Sequence, residues 1–501
     1  MDNPPTMKAE ITSAGVRDRI RAASLARQSA MFLGAALCLA LAGCVARGNW
    51  QAEKPLAPAG LAASRTLASA QVDAAAWPAD SWWRRYGDPQ LDGLVDEALA
   101  GSPSLEIAQA RLRAAQAEAT RAGGARQPTT TVDAEVNRQR YPEHGLYPPP
   151  FAGSSATDAR IALDFSYDID LWGRNRAALQ SARAGVQAAD ADREAARLAL
   201  AVAVARAYFQ LDLSYALLDV AQSNLEQQTA ILNLTQQRVS AGLENTARVK
   251  QSEGTLALTR AGVASVQANI ELARNQVASL VGAGPDRGLD LQRPNLAAPD
   301  GIVLPAALPV DLLGRRPDVT AARWRVEAAA RGVAASEAAF YPNVNLVAFA
   351  GLQSIGLSKL FDASDRTIGA GSAVHLPVFN RGELRGALEA QQAQYDLSVG
   401  EYNQTLLDAV REVADVVANW RALEKETSEQ QTALQAAQRS YELTLERYRA
   451  GLDNYLTVLS SQNQVLVAEA LRAQLQARRL GFTADLVRAL GGGYSPPSAS
   501  Q

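Results

Sequence analysis

A run of about 65 residues without proline, from 383 to 450, limits the folds open to this chain more than any other feature. Within it, apolar or aromatic residues recur every seven positions, interrupted by polar Thr427: Val399, Leu406, Val413, Trp420, Leu434, Tyr441 and Tyr448. A sustained seven-residue period is typical of a supercoiled helical seam. At ~1.5 Å per residue this arm alone would be ~100 Å long, so the sequence predicts an elongated protein.

The same helical hairpin occurs earlier in the chain. Residues 238–245 match residues 447–454 at an offset of 209 (451 − 242), and the glycines that end the second arms, Gly282 and Gly491, are separated by the same offset. At this offset the seam corresponds to Val204, Leu211, Leu218, Leu225, Leu232 and Val239. The pattern predicts a long internal duplication. An ordinary antiparallel coiled coil would explain the hairpins if nothing else were repeated.

A shorter helix bounded by prolines precedes each long arm. Pro103 and Pro128 are 25 positions apart (128 − 103), as are Pro317 and Pro342 (342 − 317). Proline fits the first turn of a helix and cannot continue one, so both ends of each helix are marked. The duplication therefore includes this helix, and residues 82–89 open a further short helix over about 90–100.

Segments with a two-residue period lie between each short helix and its long arm. Residues 161–171 alternate strictly, which predicts a β-strand with one apolar and one acidic face. The apolar face contains Ile161, Leu163, Phe165, Tyr167, Ile169 and Leu171; the other contains Ala162, Asp164, Ser166, Asp168 and Asp170. We expect its hairpin partner at about 129–139 and the second pair of strands at about 343–353 and 367–378.

These four strands have no second sheet to pack on, which argues against a β-sandwich. In an outer membrane the apolar face would contact lipid and the acidic face would line a wet lumen. Four strands cannot close a barrel, and an open edge in lipid is forbidden, so we expect the chain to oligomerise. Two copies would supply eight strands and three copies twelve, and the periodicity leaves both open.

The composition excludes several classes of function. A net charge of −3 with 20% charged residues provides no basic surface for nucleic acid. Two cysteines and two histidines in 501 residues leave little for metal binding, thiol chemistry or histidine-based catalysis. We therefore expect no enzymatic activity and no metal site.

The N-terminus is typical of a secretory signal. Basic residues precede an apolar run, 31–42, that is too short to cross a bilayer of ~30 Å as a helix. The run ends in Leu41-Ala42-Gly43-Cys44, which resembles the bacterial lipobox. This resemblance implies cleavage before Cys44, with diacylglycerol on its sulfur, an acyl group on its new amino terminus, and sorting to the outer membrane because Val45 follows. A buried cysteine at the end of an ordinary signal is the alternative.

Taken together, these features resemble the TolC-like outer membrane factors, specifically the lipoprotein branch that serves tripartite efflux pumps. The resemblance covers nearly all of the mature chain. It rests on the lipobox and on residues 82–89, 315–319, 340–342, 447–456 and 489–493. It implies a mainly α fold with a membrane β-barrel: a homotrimer with a twelve-stranded barrel in the outer membrane and an α-helical tunnel in the periplasm. Substrates would arrive from an RND-type inner-membrane pump through a periplasmic adaptor and leave passively.

Two sites follow from this resemblance by position. The duplicated turns would meet the adaptor at the periplasmic tip: Ala241, Gly242, Leu243, Ala450, Gly451 and Leu452. Their glycines also fit simple helix C-caps. The candidates for the periplasmic gate are Asp453, Tyr455, Leu456, Thr457 and Ser460. Thr457 and Ser460 stand where the family commonly has acids, which leaves an acidic constriction in doubt, with Asp453 and Glu244 the nearest substitutes.

The predicted organisation places a signal peptide at 1–43 and a lipidated extended segment at 44–88. The first repeat covers 89–282, with its β-hairpin at 129–171 and its helical hairpin at 174–282. A connector at 283–308 joins an equatorial belt. The second repeat covers 309–491, with its β-hairpin at 343–378 and its helical hairpin at 383–490, and 492–501 form a flexible tail.

Two other functions compete with an export duct. A structural coiled-coil lipoprotein that bridges the outer membrane and the periplasm would explain the long helices, but it predicts no amphipathic strands. A surface hydrolase would need a nucleophile beside His144 or His375, and no nucleophile motif lies near either. The sequence does not indicate which compounds the duct would export.

Overall fold

A computed structural model describes residues 50–57, 61, 64–67, 77–144, 147–297, 314–377 and 379–495. The chain divides into two compact units. The first, which contains the strands, consists of the described residues within 50–52, 126–174 and 334–392. The second, which is helical, consists of the described residues within 53–125, 175–333 and 393–495. The predicted mainly helical fold with few strands is confirmed.

Seven helices account for most of the described residues. They are α1 (Pro89–Gly101), α2 (Pro103–Gly124), α3 (Arg174–Ser240), α4 (Thr246–Leu280), α5 (Pro317–Ala338), α6 (Arg381–Arg449) and α7 (Tyr455–Ala489). Their lengths repeat, because α2 and α5 have 22 residues each, α4 and α7 have 35 each, and α3 and α6 have 67 and 69. No helix in the described part of the chain combines the length and apolarity needed to cross a bilayer.

The seam predicted for α6 is buried along most of its length. The side chains of Val399, Leu406, Val413, Trp420, Leu434 and Tyr448 are buried, and that of Tyr441 is half-buried. In α3 the prediction holds for Val204 and Leu211 but fails nearer the tip, where Leu225 and Leu232 are only half-buried. Gln228, Ile231 and Thr235 take their place. A straight helix of 3.6 residues per turn drifts ~20° per heptad from a strict seven-residue repeat, which accounts for such a displacement.

The four strands form one antiparallel sheet in the order β1–β2–β3–β4, with β1 and β4 at its edges. They are β1 (Thr129–Arg140), β2 (Ser155–Ile169), β3 (Asn343–Ile355) and β4 (Arg366–His375). β2 begins six residues earlier than the alternation indicated (161 − 155) and ends at Ile169, because the backbone turns where Leu171 N–H donates to Ile169 O. Leu171 therefore lies outside the strand.

The aromatic segment before α1 anchors the core of the helical unit. Trp82–Tyr86 is a 3₁₀ turn whose rings are buried against α3 and α7, with Tyr86 and Phe209 centroids 4.9 Å apart. The Tyr86 hydroxyl forms a 2.7 Å hydrogen bond with the Thr483 hydroxyl, and burial raises the pKa of Tyr86 to about 12. The stretch predicted to be extended thus ends in a packed turn, and a one-turn helix, Ser64–Leu67, lies within it.

Asp88 joins this turn to two other segments. Its carboxylate caps α1 by accepting from Gln90 N at 2.9 Å, and it accepts from the Tyr208 hydroxyl on α3 at 2.8 Å and from Asn295 N at 2.9 Å. Residues 283–297 are therefore fixed to the helical unit. A buried carboxylate needs this number of donors, since an unpaired charge inside a protein is costly.

Arg316 has the corresponding role before α5. Its guanidinium is almost fully buried and donates to Asp318 at 2.6 Å, to Glu412 of α6 at 2.9 Å and to the Ala489 carbonyl of α7 at 3.2 Å. This accounts for the motif at 315–319: Pro317 begins the helix, and the arginine before it joins three helices.

Candidate functional site

Cys44 lies outside the described residues, and described residues from 53 onward contact α6. Glu53 N–H donates to Asp396 of α6 at 3.1 Å, and Leu56 N–H donates to Asn403 at 2.8 Å. Further on, Arg421 donates to the Thr66 carbonyl at 2.9 Å. Glu53, Leu56 and Thr66 therefore follow α6 in the same direction.

The strand register separates two faces of the sheet. Phe165 pairs with Thr130 on β1 and with Ala348 on β3, so residues of one face stay together across the strands. This face exposes bulky apolar side chains on every strand: Val132, Val136, Leu163, Phe165, Leu346, Ile368 and Val374. Ile161, Tyr167 and Ile169 lie on the same face and are half-buried. A face of this kind in contact with water would be an unusually large apolar patch.

The opposite face is mostly polar and is internally paired. Asp164 accepts from Arg160 at 2.6 Å, Ser166 exchanges hydrogen bonds with Asn345 at 3.0 and 3.1 Å, and Asp168 accepts from Asn343 at 3.2 Å. Asp170 follows the end of β2. The predicted alternation of apolar and polar side chains is thus present. The half-buried polar side chains form hydrogen bonds with neighbouring side chains of the same face.

One aromatic residue on the polar face was not indicated by the strand pattern. Phe349 pairs with Asp164 and Gly369, and its ring lies over Gly369, where an added Cβ would come within 2.5 Å of the ring. The Arg160 guanidinium lies 6.0 Å from the ring centroid. The glycine in β4 could have suggested this close approach, since glycine inside a strand often marks one.

The two tip turns have the same geometry. Gly242 and Gly451 have φ of 73° and 76°, in the left-handed region that glycine adopts at a helix C-terminus. Leu243 N–H donates back to Arg238 O at 2.9 Å, and Leu452 N–H donates back to Arg447 O at 2.8 Å. Each turn closes its helix in this way and exposes its leucine.

Asparagine begins the helix that follows each tip turn. The Asn245 side chain accepts from Arg248 N at 3.2 Å, and Asn454 accepts from Leu456 N at 2.9 Å and Thr457 N at 3.1 Å. An asparagine cap after a left-handed glycine makes a short and well-defined turn. The glycines are thus C-caps, and the turns also present Ala241, Leu243, Ala450 and Leu452 at the surface.

The structure brings the two repeats together beside these turns. Arg238 of α3 donates to the Tyr448 carbonyl of α6 at 3.0 Å, and its guanidinium lies 4.8 Å from the Tyr448 ring centroid. Tyr448 packs with Ile231 of α3 and with Tyr455 of α7 in one buried cluster. Three helices therefore meet at the tip, and the hydroxyls of both tyrosines are buried without a hydrogen-bond partner.

The gate candidates occupy different environments. Leu456, Thr457 and Ser460 are exposed on one side of α7, whereas the Tyr455 side chain is only 1% exposed and belongs to the packed cluster. The Tyr455 ring packs inside the tip beside Ile231 and Tyr448. The expected role of Tyr455 as a constricting side chain stays a prediction, and in the described chain its ring packs against α3 and α6.

Asp453 has a defined electrostatic environment. The backbone N–H of Asn454, which donates at 2.8 Å, and the Thr457 hydroxyl hold the pKa of this carboxyl below its usual range, and Arg447 at 3.3 Å adds to the effect. Thr457, where the resemblance led us to expect an acid, thus forms a hydrogen bond with the neighbouring Asp453. In the other turn Glu244 is paired with Arg248 at 3.5 Å.

A buried amide cluster above the tip was missed in the sequence. Gln462 of α7 is 3% exposed, accepts from Gln228 at 2.7 Å, and donates to Asn224 and Gln227 at 3.1 Å each. The three partners lie on one face of α3. Their spacing of three and four residues was visible, but glutamine is common on solvated helix faces and gave no reason to place these side chains inside.

Within the described part of the chain, no group of three or more histidine, cysteine, aspartate or glutamate side chains is placed to hold a metal ion. The features that stand out are instead the two-faced sheet and the joined tip turns.

Comparison with known proteins connects these features to one family. The family model described as outer membrane efflux protein matches residues 94–283 and 308–492. The fusaric acid resistance protein FusA of Burkholderia cepacia is 39% identical over 364 residues, covering 72% of this chain and 68% of that protein. The multidrug resistance outer membrane protein MdtP of Escherichia coli K12 is 31% identical over 426 residues, covering 83% of this chain and 87% of that protein.

Solved structures show the same fold. The outer membrane protein VceC of Vibrio cholerae superimposes with a TM-score of 0.79 at 37% identity, covering 84% of this chain and all of that chain (100%). The outer-membrane channel OprN superimposes with a TM-score of 0.81 at 28% identity, covering 90% of this chain and 99% of that one.

Proposed function

This chain belongs to the outer membrane efflux protein family, and we propose that it forms the outer membrane duct of a tripartite efflux system. The observation that carries the proposal is the sheet, with exposed apolar side chains on one face and edge strands that each have one neighbour. Such a sheet is costly in water, and in lipid its open edges must be paired. A closed barrel made from several copies satisfies both requirements.

Three copies are the stoichiometry we propose, because they give a barrel wide enough to conduct. Eight strands leave an interior that side chains fill, and larger barrels leave room for a channel. Twelve strands would place Ile161, Leu163, Phe165, Tyr167 and Ile169 against lipid. They would place Asp164, Ser166, Asp168 and Asp170 around the lumen. Substrates would then cross by diffusion, without covalent change and without an energy source in this chain.

We propose that Cys44 carries the lipid anchor. The contacts of Glu53, Leu56 and Thr66 with α6 support this, since these described residues lie progressively nearer the start of α6 as the chain is followed back toward its N-terminus. The acyl chains would enter the membrane in which we place the sheet. Diacylglycerol and a further acyl chain together anchor a protein firmly, at ~0.8 kcal/mol per buried CH₂.

The tip turns are the surface that we propose for the periplasmic adaptor. Leu243 and Leu452 are 65% and 69% exposed at equivalent positions of the two turns. Two equivalent turns in each chain would give six in a trimer, which suits repeated helical hairpins of an adaptor. Asp453, Leu456, Thr457 and Ser460 would then lie at the periplasmic gate, and an RND-type pump would supply the energy.

Small organic toxins are the substrate class that we propose. One relative is named for fusaric acid resistance and another for multidrug resistance, which supports an export role for such compounds. Deletion of this chain should raise the accumulation of several unrelated toxic compounds in whole cells. Normal accumulation of the whole panel, with altered cell-envelope integrity instead, would favour a structural lipoprotein and contradict the duct.

The lipid anchor has its own test. The chain has two cysteines, Cys38 and Cys44, and the first would leave with the signal peptide. Cys44→Ala should therefore abolish radioactive palmitate labelling, with Cys38→Ala as the matched control that keeps it. Full labelling of Cys44→Ala would remove the anchor and leave the duct proposal intact.

A further inference from the structure

The charged residues of the four strands are divided unequally between the two faces of the sheet. The acidic residues of the strands all lie on the polar face: Asp133, Glu135, Asp158, Asp164 and Asp168. The apolar face of the strands has no acidic residue and three arginines, Arg138, Arg140 and Arg366, which we call the apolar-face arginines. The proposed function gives these arginines no role.

The strand register places all three arginines on the apolar face. Arg138 pairs with Thr157 of β2, and Arg366 pairs with Leu352 of β3. Thr157 and Leu352 belong to the alternate positions that form the apolar face. Arg140 follows Arg138 by two residues in the same strand and therefore lies on the same side of the sheet.

The arginines lie at the end of the sheet where the chain turns from β1 into β2 and from β3 into β4. β1 ends at Arg140, and β4 begins at Arg366. The loops beside them are 141–154 and 356–365, and both loops lie at the same end because β2 and β3 are antiparallel neighbours. The opposite ends of the strands are the ones that lead to helices along the chain.

The length of the apolar face places this end at the boundary of a bilayer. From Thr157, the partner of Arg138, β2 continues for 12 residues to Ile169 (169 − 157), which is ~40 Å at ~3.3 Å per residue. A strand tilted by ~45° rises ~28 Å over that distance, close to the ~30 Å of a hydrocarbon core. Arg138 would therefore lie at the level of the lipid headgroups when the apolar band lies in the hydrocarbon.

The guanidinium groups are available to a ligand. All three arginine side chains are exposed, and among the described residues none of these side chains has an ion-pair or hydrogen-bond partner. Arg160, on the polar face, is by contrast paired with Asp164 at 2.6 Å. A guanidinium has five N–H donors in a planar fork that matches the oxygens of a phosphate group. The apolar-face arginines therefore offer such donors on a face of the sheet without acidic residues.

Exposed apolar side chains adjoin the arginines on the same face. Val136 precedes Arg138 by two residues and is 58% exposed, and Ile368 follows Arg366 by two residues and is 81% exposed. An anion that binds here thus has apolar surface beside its charge, on the side toward the middle of the face. A lipid with a phosphate headgroup and acyl chains fits this order, whereas free phosphate leaves the apolar side chains uncovered.

We propose that the apolar-face arginines bind the phosphate groups of anionic lipids, with the acyl chains against Val136 and Ile368. The arginines are on the two edge strands, so in a closed barrel β4 of one copy would neighbour β1 of the next, and two copies would form each site. The inference rests on the proposed duct, because it takes the apolar face as lipid-facing. It goes beyond the duct by naming a lipid class that this chain selects.

The direct test measures the binding of defined lipids to the purified full-length protein in detergent by native mass spectrometry. The wild type should bind dioleoylphosphatidic acid about ten-fold more tightly than zwitterionic dioleoylphosphatidylcholine. The triple change Arg138→Gln, Arg140→Gln and Arg366→Gln should remove this preference. Equal affinity of the wild type for the two lipids would overturn the proposal, as would an unchanged preference in the triple variant.

Two controls separate the site from general effects of charge. Arg111→Gln, Arg113→Gln and Arg260→Gln together remove the same charge from exposed positions of α2 and α4, and this variant should keep the preference. Loss of the preference in this control would overturn the site. Inorganic phosphate at constant ionic strength should not displace phosphatidic acid, and displacement would overturn the assignment to a lipid.

The same preparations separate this proposal from the duct. The wild type and the triple variant should both form channels in a planar bilayer of phosphatidylcholine, because the arginines lie on the face opposite the proposed lumen. If the wild type conducts but shows no lipid preference, the lipid proposal fails and the duct stands. If the wild type neither assembles nor conducts, the duct fails, and the lipid proposal fails with it.

Discussion

Two equivalent arginines beside the tip turns have taken different partners. Arg447 keeps to its own turn, where it pairs with Asp453 at 3.3 Å. Arg238, its counterpart at the same offset of 209 (447 − 238), crosses to the other repeat and binds Tyr448. The difference comes from the residue four positions after the acid of each turn. In the first turn this residue is Arg248, which pairs with Glu244 and leaves Arg238 available. In the second turn it is the uncharged Thr457, so Asp453 pairs with Arg447. Because its own turn does not hold it, Arg238 connects the first turn to the second through Tyr448.

Removal of the Arg238 contact should loosen the tip. Arg238→Leu loses a hydrogen bond to a carbonyl and a cation–π contact, together worth roughly 1–2 kcal/mol at a half-buried site. The open state of the channel should then be populated about 5- to 30-fold more. In a planar bilayer this would be measured as more frequent opening of single channels. Arg439→Leu, on the exposed face of α6, is the control and should behave as the wild type. Unchanged gating in Arg238→Leu would show that this contact does not hold the tip.

Asp453 leads to a prediction about pH. A carboxyl whose pKa is lowered in the folded state stabilises that state above its unfolded pKa, and the stabilisation is lost only as pH falls through the lowered value. The tip should therefore gate alike from pH 7 to pH 5 and loosen only below about pH 4. Asp453→Asn should remove this acid transition. A wild-type transition between pH 7 and pH 5, measured as conductance, would mean that another group controls the tip.

At the scale of helices and strands, the sequence predicts what local periodicity controls. The seven-residue pattern places Val413 and Trp420 inside, and the prolines at 103 and 317 mark the helix starts. The seven-residue pattern could not identify the buried residues of α3 near the tip. Gln228 and Ile231 are buried there because they contact α7 and α6 of the other repeat. Burial by a distant segment is a tertiary effect that a single helix pattern does not contain. The burial of Tyr455 at the start of α7 has the same origin, because its ring packs against residues of α3 and α6.

The amide cluster should fix the register between α3 and α7. Gln462→Ala removes the partner of three amides and leaves a buried gap, which should cost about 1–3 kcal/mol locally. Amide hydrogen exchange in residues 224–235 should then be about 5- to 100-fold faster, as measured by mass spectrometry. The control is Gln222→Ala, at an exposed position of α3, which should leave the exchange of residues 224–235 unchanged. Equal protection in both variants would reduce the cluster to an ordinary polar contact.

The two sheet faces should respond differently to a charge. Phe165→Arg places a cation on the apolar face and should impair insertion by ~2–4 kcal/mol if the site is near the bilayer midplane. Thr131→Arg places the same cation on the polar face of the neighbouring strand, opposite Asp164, and should be tolerated. The measurement is the amount of each variant in isolated outer membranes. Normal levels of Phe165→Arg together with loss of Thr131→Arg would mean that the faces are reversed.

At the scale of the whole molecule, the chain repeats one unit of strands and long helices, and the repeat explains why one copy is incomplete. Each half supplies two strands, and within the described residues the sheet ends at β1 and β4 with no further strand beside either. Additional copies can pair these edges because three successive antiparallel pairings make β1 and β4 run in opposite directions. The number of strands in the sequence is enough to predict that one copy is incomplete. It does not determine how many copies assemble.

The most direct test of the account is therefore the native mass of the purified protein in detergent, measured by mass spectrometry under conditions that keep it folded. We predict a complex with three times the mass of the mature chain and no folded single chain. A stable folded monomer would contradict the central claim, because the four-stranded sheet would then have to exist with open edges.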